Sequence, residues 1–238
     1  MNKLLIFTAT LNENGNIQHW YAQVRSEAPH STILVVDDGS IDGTNEFLKS
    51  QSLVDKELIL YTRPKKLGLG SAHLFAYKYA LEKNFSRLIT LDADLSHLPS
   101  QLNRFLTINN PTDFIIGTRW GEGSCNYTGV RKLLSYSANK IARLFLRTGL
   151  TEYTSSYRSF SLRGIRVILE NPPKNDSYAF FIETIEILFQ HGISLSEIPI
   201  DFLDRTVGSS KIPKNQIFRS AFTLIRLASL RVLNSITR

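Results

Sequence analysis

The chain has 238 residues, enough to bury a proper core as one α/β domain, and its 42% hydrophobic and 21% charged residues are those of an ordinary globular protein. A net charge of +7 and a pI near 9.5 favour polyanions, phosphorylated ligands or an acidic membrane surface. The single cysteine, Cys125, excludes an internal disulfide and a cysteine-rich zinc site, and no stretch reaches the roughly 18 to 20 apolar residues a membrane span needs. With no cleavable signal peptide legible after Met1, the expected location is cytoplasmic, touching a membrane from its cytoplasmic face.

The elements alternate along the chain. Leu4 to Thr8 reads as a first buried strand, and Ile17 to Ser26, with apolar residues three and four apart, as the first helix. Thr32 to Val36 and Gly43 to Ser50 repeat the pair, then Glu57 to Tyr61 and Ser71 to Lys83, then Leu88 to Leu91 and Pro99 to Leu106, with Phe114 to Gly117 a fifth strand. Strands alternating with helices imply a mostly parallel central sheet flanked by helices. Beyond about residue 125 the pattern is more helical and less regular, as for an acceptor-side half built onto a nucleotide-side half. Leu133 to Leu146 and Ile217 to Ile236 are amphipathic helices. The second carries Phe218, Phe222, Ile225, Val232 and Ile236 with Arg219, Arg226, Arg231 and Arg238 spread through it, which suits a membrane surface or a helix packed on the domain.

Ligands of open α/β sheets bind outside the carboxyl ends of the strands. Five polar clusters fall there in succession: Asn12-Glu13, Asp37-Asp38-Gly39-Ser40, Arg63 to Gly70, Asp92-Ala93-Asp94 and Arg119. Asp92 and Asp94 close an apolar strand one residue apart. Such a pair repels itself unless a cation neutralises it, and a hard divalent ion carrying a leaving diphosphate completes the arrangement. Other clusters have plainer readings beside the functional one. Asp38-Gly39-Ser40 with Asp42-Gly43-Thr44 also suits a turn and a helix cap. Leu67-Gly68-Leu69-Gly70-Ser71-Ala72 is a glycine-rich helix start that either binds phosphate or packs closely; it has neither the dinucleotide glycine spacing nor a phosphate-loop Lys-Ser/Thr ending. His97, before Leu98-Pro99, reads as structural rather than as a general base.

These residues carry a resemblance. Ile33-Leu34-Val35-Val36-Asp37-Asp38-Gly39-Ser40-Ile41-Asp42-Gly43-Thr44 resembles the signature of family 2 glycosyltransferases of the GT-A nucleotide-diphospho-sugar transferase fold. Arg63 to Ala72, Leu91 to His97, and Glu197 to Phe202 followed by Asp204 to Lys211 are similar to its dolichol-phosphate mannose synthase branch. The resemblance implies a GT-A domain over residues 1–213 and an amphipathic, membrane-interfacial helix over 214–238. It implies an inverting transfer of one sugar, mannose or glucose, from a nucleotide-diphosphate sugar to a polyprenyl (dolichyl or undecaprenyl-type) phosphate, with Mg2+ or Mn2+. By the same resemblance Asp92 and Asp94 hold the metal and, with Arg119, are the catalytic set. Ala9, Leu11, Glu13, Val36, Asp38, Asp92, Ala93, Asp94, Arg119, Arg205 and Lys211 meet the donor, and Arg119, Arg131 and Ser135 the acceptor phosphate.

A lipid phosphate is already an anion, so the want of a convincing general base fits such an acceptor. The chain departs from the family pattern at Ala9 and Leu11, where Pro and Tyr are usual, at Ser96, where some members carry an amide, at Glu152, usually Asp, and at Ser156, usually Gly. Relatives often add transmembrane helices, so the expectation here is peripheral contact or an integral-membrane partner. The alternatives are a family 2 transferase acting on a saccharide hydroxyl in surface polysaccharide or glycolipid assembly, and a basic binding module. Nucleic acid is not an expected partner, because acidic pairs at strand ends have no place in such a module.

Overall fold

The computed structural model describes residues 3–107, 112–126, 129–176 and 178–204 together with Arg226, without the side chains of Val130, Arg131, Leu134 and Tyr178. Its first half alternates as expected: β1 (Leu4–Thr10), α1 (Asn14–Glu27), β2 (Thr32–Asp37), α2 (Thr44–Val54), β3 (Leu58–Thr62), α3 (Leu69–Glu82) and β4 (Arg87–Thr90). A 3-10 turn at Pro99–Gln101 leads into α4 (Leu102–Leu106). Then come β5 (Phe114–Thr118), β6 (Ser124–Cys125), α5 (Gly129–Leu146), β7 (Arg158–Ser161), α6 (Leu162–Glu170), α7 (Tyr178–Gln190), β8 (Leu195–Pro199) and β9 (Asp201–Phe202).

Among the described residues one seven-stranded sheet runs β3-β2-β1-β4-β7-β5-β8, and β6 and β9 form a small second sheet. Every pairing in the large sheet is parallel except those of β7, which runs antiparallel to both β4 and β5. Helices cover both faces. Ile6, Val35 and Ile89 pack with Trp20 of α1, Leu48 of α2 and Leu102 of α4, while Phe7, Leu34 and Phe160 pack with Tyr77 of α3, Ile165 of α6 and Phe180 of α7. Burial on both faces explains why these strands read as continuous apolar runs rather than as alternating ones.

The five strands and the first four helices read from sequence are all present, with ends shifted by a few residues. β7 and β8 were not legible. Arg158-Ser159-Phe160-Ser161 is a polar strand, yet Arg158, Ser159 and Phe160 are fully buried. α5 contains the expected Leu133 to Leu146 helix. Of the predicted C-terminal helix only Arg226 is described; it is helical, and its guanidinium donates to the buried Glu183 of α7. Among the described residues no helix is long and apolar enough to cross a membrane.

Candidate active site

The carboxyl end of β2 carries two aspartates that the period of a strand sends to opposite faces. Asp37 points to the α2 side and is a keystone of the turn. It accepts the Thr10 hydroxyl at 2.9 Å, the Asn45 amide at 3.0 Å, and both the backbone N–H (3.0 Å) and hydroxyl (2.5 Å) of Ser40. Gly39, at φ +84, makes the turn that brings Ser40 back, and its α-carbon faces the backbone of Arg63 to Lys65. Asp38 faces the α3 side, where Arg63 donates to it at 3.1 Å and the Leu67 N–H at 3.3 Å; the same Arg63 nitrogen also reaches the Ser71 hydroxyl at 2.9 Å. Asp42 takes the plainer reading: it accepts the N–H and hydroxyl of Thr44 and starts α2. Ala9 lies opposite Val36 in the β1–β2 register, and Leu11 and Glu13 follow on the loop where Thr44 accepts the Glu13 N–H at 2.9 Å. The expected donor residues Ala9, Leu11, Glu13, Val36 and Asp38 therefore share one end of two adjacent strands.

Asp92, Ala93 and Asp94 follow β4 at the same edge. Ala93 and Asp94 are each 3% exposed. Asp94 accepts the N–H (3.0 Å) and hydroxyl (2.6 Å) of Ser96 on one oxygen, a turn made possible by Leu95 in the left-handed region at φ 62. A leucine there is held against a cost of about 1–2 kcal/mol, which marks the turn as imposed by its surroundings. The Asp92 side chain is one-third exposed and is held by the Ser156 hydroxyl at 2.5 Å, while the Asp92 backbone N–H donates to His97 Nδ1 at 3.3 Å, a nitrogen that also lies 3.3 Å from the second carboxylate oxygen. His97 itself is buried, sandwiched near Tyr157 and Phe202, with Nε2 3.3 Å from the Ser155 hydroxyl. It is a support for Asp92, in keeping with its structural reading. Two carboxylates with a hydroxyl beside them are a hard oxygen set, and an ion that takes one or two protein carboxylates and completes its shell with phosphate and water suits them. No cluster of three or more acidic, His or Cys ligands exists among the described residues.

The segment Thr151 to Arg158 was missed as a unit by sequence reading, and the reason is topological. Because β7 is antiparallel, the residues that precede it lie at the edge where the residues following the other strands lie. A run of Thr, Ser and Glu before a strand was the available signal. Here Glu152, fully buried, takes a two-pronged contact from Arg119 (2.9 and 3.1 Å), and Arg119 also donates to the Thr154 hydroxyl at 2.7 Å. Burial works to raise the Glu152 carboxyl, but the Arg119 charge and the hydrogen bonds from Arg119 and Thr154 outweigh it and hold it at about 2. The guanidinium of Arg119 also lies 4.7 Å from the Phe202 ring centre. Below, the fully buried Arg158 donates to the carbonyls of Tyr153, Ser155 and Phe181 at 2.7–3.0 Å. Burial lowers it to about 10, still protonated at neutral pH. One short segment thus fixes Arg119 through Glu152, His97 through Ser155 and Asp92 through Ser156.

The glycine turn before α3 packs rather than opening to a ligand. The Gly70 N–H donates to the Asp176 carbonyl at 3.0 Å, and a Cβ on Gly70 would sit 2.9 Å from both Asp176 and Phe180. On α5 the Ser135 carbonyl accepts the Asn139 amide at 3.0 Å, and Asn139 in turn accepts the Tyr153 N–H at 2.7 Å, so Asn139 ties α5 to the segment that holds Arg119. The Arg131 side chain, Arg205 and Lys211 lie outside the described residues.

A mostly parallel sheet with helices on both faces, and acids and cations gathered at its carboxyl edge, fits the GT-A nucleotide-diphospho-sugar transferase fold. Solved structures agree on the fold. Glucosyl-3-phosphoglycerate synthase from Mycobacterium tuberculosis, in complex with Mn2+, UDP and phosphoglyceric acid, superposes with a TM-score of 0.65 at 14% identity, over 95% of this chain and 78% of that one. A mannosyltransferase from Pyrobaculum calidifontis, in complex with GDP-Man and Mn2+, gives 0.54 at 12% identity over 99% and 75%. The chain belongs to Glycosyl transferase family 2, whose profile matches residues 5–169, and is therefore a glycosyltransferase. It is 31% identical over 212 residues to the undecaprenyl-phosphate mannosyltransferase of Micrococcus luteus (88% of this chain, 87% of the relative). It is 32% identical over 224 residues to the polyprenol monophosphomannose synthase of Mycolicibacterium smegmatis (92% and 84%).

Proposed function

We propose that this glycosyltransferase moves one mannose from a nucleotide-diphosphate sugar to a polyprenyl phosphate, with a divalent ion, Mn2+ or Mg2+, at Asp92 and Asp94. The observation that carries this reading is the convergence on one sheet edge of Asp38, the acid pair and the Arg119–Glu152 fork, with Asp92 and Arg119 held by the same short segment. The named relatives at 31% and 32% identity support the sugar and the lipid phosphate. In this reading Ala9, Leu11, Glu13, Val36, Asp38 and Ala93 line the donor, and Arg205 and Lys211 supply cations to its phosphates. The ion, when bound, offsets the negative charge that develops on the leaving diphosphate. Arg119, locked in orientation by Glu152, and Arg131 with Ser135 on α5 steer the acceptor phosphate, which attacks without losing a proton. His97 is buried, with Nδ1 accepting the Asp92 backbone N–H and Nε2 against the Ser155 hydroxyl.

Membrane access belongs to the same proposal. On α5, Leu133, Tyr136, Ile141, Leu144 and Phe145 are 45–65% exposed, and Lys132, Lys140 and Arg143 are exposed among them. An apolar strip flanked by cations suits the interface of an anionic bilayer. Residues 214–238 are the second proposed point of contact, with the cytoplasmic face of the membrane or with an integral-membrane partner.

The test is a screen of radiolabelled nucleotide sugars with polyprenyl phosphate in detergent, with and without chelator. Label from GDP-mannose entering the organic phase only with metal is expected. Transfer confined to water-soluble glycans would replace this reading with a saccharide-hydroxyl transferase.

A further inference from the structure

We propose that Ser156 is a positioning residue that aims the Asp92 carboxylate at the ion; the inference rests on the metal reading of Asp92 and Asp94 given above. Asp92 and Asp94 are neighbours of like charge, and their supports differ. Asp94 is 3% exposed and is held by a backbone N–H as well as a hydroxyl, both from Ser96 and both on one oxygen. The Asp92 side chain is 33% exposed, so repulsion from Asp94 and the pull of water both draw it away from the pair. Against this, the Ser156 hydroxyl donates to one carboxylate oxygen at 2.5 Å, and His97 Nδ1, 3.3 Å from the other, accepts the Asp92 backbone N–H.

Ser156 can do this because it is itself immobilised. It is 4% exposed, and its carbonyl accepts the fully buried Thr90 hydroxyl at 2.5 Å. Thr90 is the last residue of β4 and pairs in register with Arg158 of β7, two residues beyond Ser156. The crossing of β4 with the antiparallel β7 therefore sets the hydroxyl opposite Asp92. A residue without a side-chain donor at this position would remove the 2.5 Å hydrogen bond that fixes this carboxylate oxygen. Groups that hydrogen-bond a metal's carboxylates and fix their orientation typically carry a tenfold or larger share of the affinity.

The test measures Mn2+ affinity by isothermal titration calorimetry in wild type, S156A, S156T and S96A, with thermal midpoints in chelator as a check of folding. S156A is expected to fold normally and lose about tenfold in Mn2+ affinity, with S156T keeping most of it. S96A is expected to lose less than S156A, because the Ser96 backbone N–H still holds Asp94. Equal affinity in wild type and S156A, or a larger loss in S96A, would overturn the role of Ser156 while leaving the acid pair as the metal site. A wild type that takes up no Mn2+, alone or with nucleoside diphosphate, would overturn the metal reading itself. If S156T does not fold, the order of S156A and S96A decides.

Discussion

Asp37 and Asp38 show how two identical neighbours acquire different work. Strand alternation turns the first into the bracing of a turn, through Thr10, Ser40 and Asn45, and leaves the second at the crevice with Arg63. The Asp92–Asp94 pair is sharper still, since each acid has its own serine. If Asp94 holds the ion against the leaving diphosphate, D94N should lower kcat by about 10²–10³-fold, the usual scale for removing one preorganised charge-stabilising group. The folded structure should survive, because an amide can still accept the Ser96 N–H. Full turnover in D94N would remove Asp94 from the site. Arg119 is a residue whose role the sequence suggested but whose partner it concealed: Glu152 lies 33 positions away and only the antiparallel β7 returns it to the edge.

At the scale of elements, the first five strands and four helices were legible because buried apolar runs and three-four spacings are local signals. β7 was not, because a buried, largely polar strand is stabilised by distant partners such as Phe181, whose carbonyl accepts from Arg158. The glycine turn before α3 was ambiguous in sequence and resolves as close packing. A Cβ at Gly70 meets backbone at Asp176 and the Phe180 ring at 2.9 Å, so G70A should cost about 1–3 kcal/mol in a denaturant titration; a variant as stable as the parent would contradict the packing account. For α5, the L133E/L144E variant should lose sedimentation with anionic liposomes while retaining transfer to a short, water-soluble prenyl phosphate. Undiminished sedimentation would show that the exposed apolar strip does not meet the bilayer.

At the scale of the whole molecule, a buried histidine makes stability depend on pH. His73 of α3 is buried among Phe7, Tyr77, Phe180 and Phe181, and burial, assisted by the Arg158 charge and only partly opposed by that of Asp92, lowers it from 6.5 to about 3. The unfolded chain takes up this proton near 6.5 and the folded chain only near 3, so stability is full above 6.5 and falls as pH drops between the two. The slope from this group is about 1.4 kcal/mol per pH unit. Between pH 6.5 and 5, wild type should therefore lose about 2 kcal/mol more than H73L in urea titrations. Parallel losses in the two proteins would mean that His73 is protonated in the fold.

The account's central claim is that the attacker arrives already ionised, so that the protein supplies orientation and charge where a hydroxyl acceptor would need a base. The most direct measurement compares polyprenyl phosphate with the corresponding polyprenol as acceptors, using labelled GDP-mannose and Mn2+ in detergent. The account predicts label in the organic phase with the phosphate and none with the alcohol. Comparable labelling of the alcohol would contradict it.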